Sequence, residues 1–321
     1  NIEKGLISLE EKVYIDKDIT RIKGSSLNLE EGESFTVEEL LRATLVFSAN
    51  DATYALAKKV AGTEEAFVNL MNEQARILGL KDTVYYNSTG LPEDGFQNMM
   101  STKDIFTLSK YIIDNYPEVL TITSTPYIEL FNREYKKENT NPLLNEMEGI
   151  DGLKTGFTNK AGHCLVSTIM IKGDSIRYDD FRLIAIVMGT KGEEKRKELG
   201  KQLIQYGLDN YSKRILANKN TPVDIIYMPK SEDKEIEVYP LKNFSIILKD
   251  GEYIDDDILI DDDLKLPLKR LDKVGNLVLT KNGKILEEID LIVHKDIEKE
   301  NVIKVFIRQI KDFIQRIFFI K

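Results

Sequence analysis

The sequence predicts a mixed α/β (α+β) domain, followed by a small all-β domain and a C-terminal amphipathic helix. Helical periodicity dominates residues 36–80 and 193–216, whereas two apolar, β-branched runs after residue 141, HCLVSTIMIKG and FRLIAIVMG, are typical of neighbouring strands. Residues 221–298 consist of short strand-like segments separated by turns. In the region before the β-rich segments, helices come first and strands follow after residue 141. This order favours an arrangement in which helices pack on a sheet.

The first helical region contains a break that places polar side chains between two helices. Thr36 and Glu39 form a capping box that opens the first helix. The helical run stops at the sequence SAND, where Asp51 is the expected N-cap of a second helix that ends at Gly62. Ser48–Asn50 is therefore predicted to lie in a tight link between the two helices.

Two later helices have recognisable signals. The sequence STKD, residues 101–104, is a second capping box and opens a helix towards Tyr116. The helix predicted over residues 193–216 has an apolar side at helical spacing. Its members are Leu199, Leu203, Tyr206 and Leu208.

The texture of the sequence changes near residue 218, where we place the domain boundary. This gives a first domain over residues 1–218, a β-rich domain over 219–299 and a terminal helix over 300–321. In the β-rich domain, Asp250-Gly251 and Asn282-Gly283 are typical hairpin turns.

Composition excludes several classes of partner and cofactor. The formal charge is −9, from 45 basic and 54 acidic side chains, which argues against nucleic acid as a partner. Cys164 is the single cysteine, so neither an intrachain disulfide nor a cysteine-based metal site can form. His163 and His294 make a poor zinc set, and His163 and Cys164, adjacent on a strand, face opposite ways and cannot act on one another. We expect no metal or organic cofactor.

One stretch places a lysine among glycines at the start of a strand-like run. It reads GIDGLKTGFTNKAGHCLVS and spans residues 149–167. If Lys154, Thr155 and Gly156 open a strand, the ammonium and hydroxyl can point together into a cleft, and the glycine lets a substrate backbone lie close. Such a pair suits a ligand that ends in a carboxylate. The alternative is an ordinary strand start.

Ser48 and Asn50 could share a proton and bind a substrate amide, although a helix C-cap beside an N-cap is the simpler alternative. The combination is more specific. A Ser-x-Asn link about a hundred residues before a Lys-Thr-Gly strand resembles the penicillin-binding protein and serine β-lactamase superfamily. Residues 24–91 and 149–168, the β-rich domain and the amphipathic C-terminus are similar to the low-molecular-mass D-alanyl-D-alanine carboxypeptidases.

The resemblance implies a penicillin-binding-protein/β-lactamase-like transpeptidase fold and a serine-type carboxypeptidase. Such an enzyme removes the terminal D-alanine from peptidoglycan stem peptides through an acyl-enzyme, and β-lactams inhibit it. Lys154, with Thr155 and Gly156, would hold the substrate and its terminal carboxylate. Ser48 would assist proton transfer, and Asn50 would bind the substrate amide. The enzyme would be exported and act at the outer face of the cytoplasmic membrane.

The family's nucleophile is the serine of a Ser-x-x-Lys motif ahead of the Ser-x-Asn link, and residues 1–47 contain no such motif. We expect the motif and a signal peptide upstream of Asn1, and residues 1–321 alone to be inactive. Ser231–Lys234 fits the pattern but lies in a charged turn of the β-rich domain, so we reject it. The alternative is a non-catalytic cell-envelope protein that keeps the cleft and lacks the nucleophile.

Residues 302–320 combine an apolar stripe with interleaved basic side chains. The segment is too charged to span a bilayer but fits a helix that lies on an anionic membrane surface. The alternatives are a helix packed on the β-rich domain and a coiled-coil partner. The stripe comprises Ile303, Phe306, Ile310, Phe313 and Ile317, and the basic set comprises Lys304, Arg308, Lys311 and Arg316.

Overall fold

The computed structural model describes residues 1–93, 95–130, 135–301 and 310. The chain divides into two units. The first comprises Asn1–Ile171 and Arg182–Asp209, and the second comprises Lys172–Phe181 and Asn210–Lys321.

The described part of the first unit contains more helix than strand. A short antiparallel pair of strands, β1 and β2, precedes the α-helices, and a turn of 3-10 helix lies between these strands. A five-residue π-helix, Ala43–Phe47, separates the first two α-helices. The bounds are β1 Lys12–Tyr14, β2 Ser34–Thr36, α1 Val37–Arg42, α2 Asn50–Ala61, α3 Glu64–Ile77, α4 Thr102–Asn115, α5 Val119–Thr123 and α6 Glu193–Asn210.

Apart from β1 and β2, the described strands of this unit come late, as the sequence predicts. After the antiparallel hairpin of β3 (Tyr127–Leu130) and β4 (Tyr135–Glu138), a three-stranded sheet follows with the order β5-β6-β7. Strand β5 is antiparallel to β6 and lies at an edge of the sheet among the described strands. The sheet strands are β5 Ile150–Thr158, β6 Gly162–Ile171 and β7 Phe181–Thr190.

The core beneath the link between α1 and α2 is built from small residues. Ala43, Ala49, Ala52 and Ala55 are fully buried together with Leu40. Because alanine side chains let helix backbones approach closely, the link rests on a tightly packed base. This rigid base fixes the backbone on both sides of Ser48.

The apolar face predicted for α6 is only partly right, because Leu208 packs against the core whereas Leu203 and Tyr206 are exposed. The buried face carries Gly200, Ile204 and Gly207. A Cβ at Gly200 would stand 2.7 Å from Leu165 Cδ2, and a Cβ at Gly207 would stand 2.5 Å from Leu183 Cδ1. The face of α6 that packs on the sheet is therefore the one with Gly200 and Gly207, since no larger residue fits at these positions.

The predicted helix caps are only partly confirmed. Thr36 forms the complete capping box with Glu39. Ser101 caps α4, but the carboxylate of Asp104 accepts a hydrogen bond from Thr83 Oγ1 at 2.8 Å instead of returning to the cap. The prediction for α2 was wrong at its start, because Ala49 is the N-cap and Asp51 lies inside the helix.

The second unit is rich in strands. A five-stranded sheet has the order β12-β13-β14-β10-β9, and β8 and β11 form a separate antiparallel pair. The strands are β8 Tyr211–Ala217, β9 Asp224–Tyr227, β10 Glu235–Pro240, β11 Phe244–Lys249, β12 Asp255–Ile260, β13 Lys273–Lys281 and β14 Lys284–Ile292.

Two details of this unit differ from the sequence prediction. Helix α6 ends at Asn210, and residues 211–217 form β8, which pairs with β11 and so belongs to the second unit despite the boundary placed at 218. Asn282-Gly283 forms the predicted hairpin, with both φ angles positive. Asp250-Gly251 is a turn but no hairpin, because the strands on its two sides belong to different sheets.

The amphipathic segment over residues 302–320 lies outside the described residues, apart from Ile310. Within the described ranges, no helix is long and apolar enough to cross a membrane.

Asp51 provides a test of how the first unit is held together. Its buried carboxylate accepts hydrogen bonds from Ser26 Oγ at 2.6 Å, from the Leu27 amide at 3.1 Å and from the Leu29 amide at 3.2 Å. Asp51→Ala should lower the free energy of unfolding by about 3 kcal/mol, because two buried amides and a partly buried hydroxyl lose their acceptor. Urea unfolding measures this. Asp114→Ala, which removes an exposed ion pair with Lys110, is the control and should cost under about 0.5 kcal/mol. Equal stability of the two variants would contradict this account.

Candidate active site

Ser48 stands at a backbone position that the preceding π-helix creates. The π-helix ends at Ser48, whose φ of 65° and ψ of 37° are left-handed. The Ala49 amide donates to the Ala43 carbonyl at 3.1 Å and closes this wide turn. A left-handed serine costs about 1 kcal/mol, and the packed alanine base holds it there.

Asn50 is the first residue of α2 and not part of the link, which corrects the prediction. Its amide donates to the Ser25 carbonyl at 2.8 Å, and its Nδ2 donates to the Lys23 carbonyl at 3.0 Å. Gly24, between them, has a φ of +88°, and a Cβ there would stand 2.6 Å from Asn50 Nδ2. The segment from Lys23 to Ser25 therefore orients Asn50, a role that sequence analysis missed although a Gly-Ser-Ser triplet marks the place.

The structure brings Lys154 and Ser48 together, although 106 residues separate them. Lys154 lies on β5, and its Nζ donates hydrogen bonds to Ser48 Oγ and, at 2.9 Å, to the Thr155 carbonyl. The lysine is half-buried, and no acidic side chain of the described residues forms an ion pair with it. An ammonium in such a position can take an anionic ligand.

Thr155 is directed towards the same link by a different contact. Its hydroxyl is buried and donates to Thr140 Oγ1 at 2.6 Å. The Thr140 amide in turn donates to the Val46 carbonyl at 3.0 Å, within the π-helix. Lys154 and Thr155 thus both connect β5 to the segment that ends at Ser48.

Gly156 leaves open space in front of the strand. A Cβ built on it would meet no protein atom within 4 Å, and its φ is not in the left-handed region. The glycine is therefore not required by the fold. Because β5 is an edge strand among the described strands, an extended peptide could lie along this face.

Another cation, Arg196, lies among the buried residues of α6 and is more deeply buried than Lys154. It is 6% exposed, and its Nε has no hydrogen-bond partner among the described atoms. Burial, assisted by the charge of Arg196, lowers the pKa of Lys154 to about 8. Burial also lowers the pKa of Arg196. Sequence analysis missed Arg196, because an arginine in a charged helix carries no signal of burial.

The rejected alternatives do not converge on this site. His163 stacks on Phe157 with 4.2 Å between ring centroids. Ser231 Oγ donates to the Met228 carbonyl at 2.7 Å, and Lys234 Nζ donates to the Ser231 carbonyl and to Glu300, so this lysine does not activate the serine hydroxyl. The described ranges contain no group of three or more His, Cys, Asp or Glu side chains that could hold a metal ion.

The pKa of Lys154 tests the electrostatics of the site. The ε-carbon signal of Lys154, assigned with Lys154→Gln, should titrate near pH 8 by ¹³C NMR and not near the ordinary value of about 10.4. Arg196→Gln should raise this midpoint, because a neighbouring positive charge is removed. Melting curves confirm that the variant folds. A Lys154 midpoint near the ordinary value, or one that Arg196→Gln does not change, would contradict the account that burial and Arg196 lower this pKa.

Comparison with known proteins identifies the families of both parts of the chain. The family described as D-alanyl-D-alanine carboxypeptidase, peptidase S11, matches residues 1–192, and the family described as penicillin-binding protein 5, C-terminal domain, matches residues 211–299. The D-alanyl-D-alanine carboxypeptidase DacF of Bacillus subtilis is 31% identical over 97% of this chain and 79% of that protein. For DacC of Escherichia coli the identity is 29% over 96% of this chain and 76% of that protein.

Solved structures give the same result for the fold. Penicillin binding protein 6B of Escherichia coli has a TM-score of 0.69 at 27% identity and covers 91% of this chain and 82% of its own. Penicillin-binding protein D2 of Listeria monocytogenes, solved with cefotaxime bound, has a TM-score of 0.57 at 34% identity over 64% of this chain and 80% of its own. The predicted resemblance is confirmed, and so is the predicted mixed α/β domain followed by an all-β domain. The predicted terminal helix stays a prediction, because its residues lie outside the described ranges. The chain belongs to the D-alanyl-D-alanine carboxypeptidase family, peptidase S11.

Proposed function

We propose that Ser48, Asn50, Lys154, Thr155 and Gly156 bind peptidoglycan stem peptides ending in D-Ala-D-Ala and move protons during removal of the last residue. Membership of a family of serine-type carboxypeptidases supports the reaction class. The observation that carries the assignment is the hydrogen bond from Lys154 Nζ to Ser48 Oγ.

Lys154 is suited to hold the terminal carboxylate. With a pKa of about 8 it is mostly charged at pH 7, and as the pH rises through 8 it loses the charge. A carboxylate gains a charge-assisted hydrogen bond from the ammonium, and the buried charge of Arg196 adds to the attraction. We infer that Arg196 acts through this field and not by touching the reacting atoms.

Ser48 is suited to relay a proton. Since Lys154 donates to its Oγ, the hydroxyl proton of Ser48 is available for a different acceptor. In the family reaction that acceptor is the nitrogen of the departing D-alanine, and Lys154 can replace the proton that Ser48 gives. Asn50, held by the Lys23 carbonyl, keeps its side-chain carbonyl for a substrate amide.

The acyl-transfer step itself needs the serine and lysine of a Ser-x-x-Lys motif. The serine attacks the penultimate carbonyl, backbone amides stabilise the oxyanion, and water hydrolyses the acyl-enzyme. In the family this motif precedes the Ser-x-Asn link, and residues 1–321 contain the pattern only at Ser231–Lys234. The five residues named above therefore supply peptide positioning and proton transfer. β-Lactams, which the cefotaxime-bound relative binds, are the expected inhibitors.

Export to the outer face of the cytoplasmic membrane is the location that fits this substrate. We propose that residues 302–320 attach the protein to an anionic membrane surface, on the strength of their sequence. The apolar stripe would enter the acyl boundary, and each basic residue would contribute about 1 kcal/mol with the headgroups, less at high salt.

Gly156 provides the sharpest test of substrate placement. Gly156→Ala should weaken binding of N-acetyl-Lys-D-Ala-D-Ala about tenfold, because the methyl group occupies space meant for the peptide backbone. The melting temperature should not change, since that methyl meets no protein atom within 4 Å. Ligand-observed NMR gives the affinity. Gly192→Ala, whose methyl also meets open space, is the matched control. Equal affinities in the two variants would show that peptide does not lie against Gly156.

Membrane attachment is tested by flotation with vesicles. The full chain should float with vesicles of phosphatidylcholine and phosphatidylglycerol at low salt, less at high salt, and not with phosphatidylcholine alone. Deletion of residues 301–321 should abolish flotation, because the basic and apolar groups are removed together. Flotation that survives the deletion would refute the assignment of attachment to this segment.

A further inference from the structure

Three aromatic side chains of the first unit are exposed beside the end of β5. Tyr86, Phe96 and Phe157 are 44%, 57% and 54% exposed, and we call them the aromatic rim. The rings of Tyr86 and Phe96 lie 5.1 Å apart between centroids, and Phe157 rests on His163. Exposed apolar surface of this kind commonly marks an interaction site.

The loop that carries Tyr86 and Phe96 is held by its own hydrogen bonds. Val84 and Met99 exchange both backbone hydrogen bonds, at 2.9 and 3.0 Å. Asn98 Oδ1 accepts from the Tyr86 amide at 2.7 Å, and Asn98 Nδ2 donates to the Asn87 carbonyl at 3.0 Å. Hydrogen bonds thus hold the backbone at Tyr86, and Phe96 exchanges backbone hydrogen bonds with Glu93. The exposed parts of the Tyr86 and Phe96 rings are not needed to pack the core.

This loop borders the candidate active site at two points. Gln97, next to Phe96, donates from Nε2 to Thr158 Oγ1 at 2.8 Å, at the end of β5. On the other side, a Cβ on Gly24 would stand 3.3 Å from Leu91 Cδ1 as well as beside Asn50 Nδ2. The aromatic rim is thus continuous with the strand of Lys154 and with the surroundings of Asn50.

Spacing along the strand indicates which part of a ligand reaches the rim. An extended chain rises about 3.3 Å per residue, so Phe157 stands about 10 Å beyond Lys154. A peptide that lies along β5 with its carboxylate at Lys154 places its last two residues near Thr155 and Gly156. The residue before D-Ala-D-Ala then falls beside Phe157 and Phe96.

We propose that the aromatic rim binds the side chain of the residue preceding D-Ala-D-Ala through its methylene groups. The rim side chains are uncharged, so contact with an aliphatic stem is the interaction they offer, and a charge at the end of that stem extends into solvent. This inference rests on the proposed function, because it takes the position of the carboxylate at Lys154 as given.

The test uses three peptides, N-acetyl-X-D-Ala-D-Ala with X as glycine, norleucine or lysine, and ligand-observed NMR on the full chain at pH 7. Norleucine and lysine should bind with equal affinity, about tenfold more tightly than glycine. Phe96→Ala and Phe157→Ala should each reduce this preference and leave the glycine peptide unaffected. Tyr14→Ala, which removes an exposed aromatic ring elsewhere in the unit, is the control and should keep the preference.

The outcomes separate the two proposals. Equal binding of all three peptides, or a preference for lysine over norleucine, would overturn the role of the rim. A preference that persists in both phenylalanine variants would do the same. Peptides with an amidated C-terminus test the proposed function instead. If amidation does not change the affinity, the carboxylate site at Lys154 is refuted. If no peptide binds, both the carboxylate site and the role of the aromatic rim are refuted.

Discussion

The hydrogen bond from Lys154 to Ser48 is the interaction on which the rest of the site depends. A half-buried ammonium without an ion-paired carboxylate must be satisfied by neutral oxygens, and here these are Ser48 Oγ and the Thr155 carbonyl. Neither oxygen would be in place without a separate structural feature. The π-helix turns Ser48 into the left-handed region, and β5 carries the lysine across from it. When an anionic ligand binds, Lys154 can exchange a hydrogen bond to a neutral oxygen for a stronger, charge-assisted hydrogen bond to the ligand. This exchange favours binding of an anion.

The left-handed conformation of Ser48 is stabilised by the segments that surround the link between α1 and α2. The Asp51 carboxylate accepts hydrogen bonds from the amides of residues 27 and 29 and from the Ser26 hydroxyl. In the neighbouring stretch, the Lys23 carbonyl accepts a hydrogen bond from the Asn50 side chain. Gly24 allows the close approach of that stretch, since any side chain would displace the Asn50 amide. Residues far from the strand of Lys154 thus help to position the Asn50 side chain and the segment that carries Ser48.

The sequence was most informative where the signal is local. The Thr36 capping box, the Asn282-Gly283 hairpin and the neighbouring strands β6 and β7 were all predicted, since each follows from a short pattern. The packed face of α6 was only partly predicted, because apolar periodicity suggested Leu203 whereas close approach to the sheet requires Gly200 and Gly207. The end of α6 was missed because β8 is fixed by pairing with a distant strand, β11. Within the candidate site, the Ser-x-Asn and Lys-Thr-Gly patterns pointed to two segments that the fold brings into contact. The burial of Arg196 could not be predicted, because only the fold creates it.

The dependence of peptide affinity on pH tests the role of Lys154 most directly. The dissociation constant of N-acetyl-Lys-D-Ala-D-Ala should be constant below pH 8 and rise by up to about tenfold per pH unit above it, because the neutral amine no longer attracts the carboxylate. The C-terminally amidated peptide should bind more weakly and show no such rise, and Lys154→Gln should remove the rise for the carboxylate peptide. An affinity that stays constant between pH 7 and about 9.5 in the unaltered chain, or a rise that persists in Lys154→Gln, would contradict the assignment of Lys154 as the carboxylate-binding group.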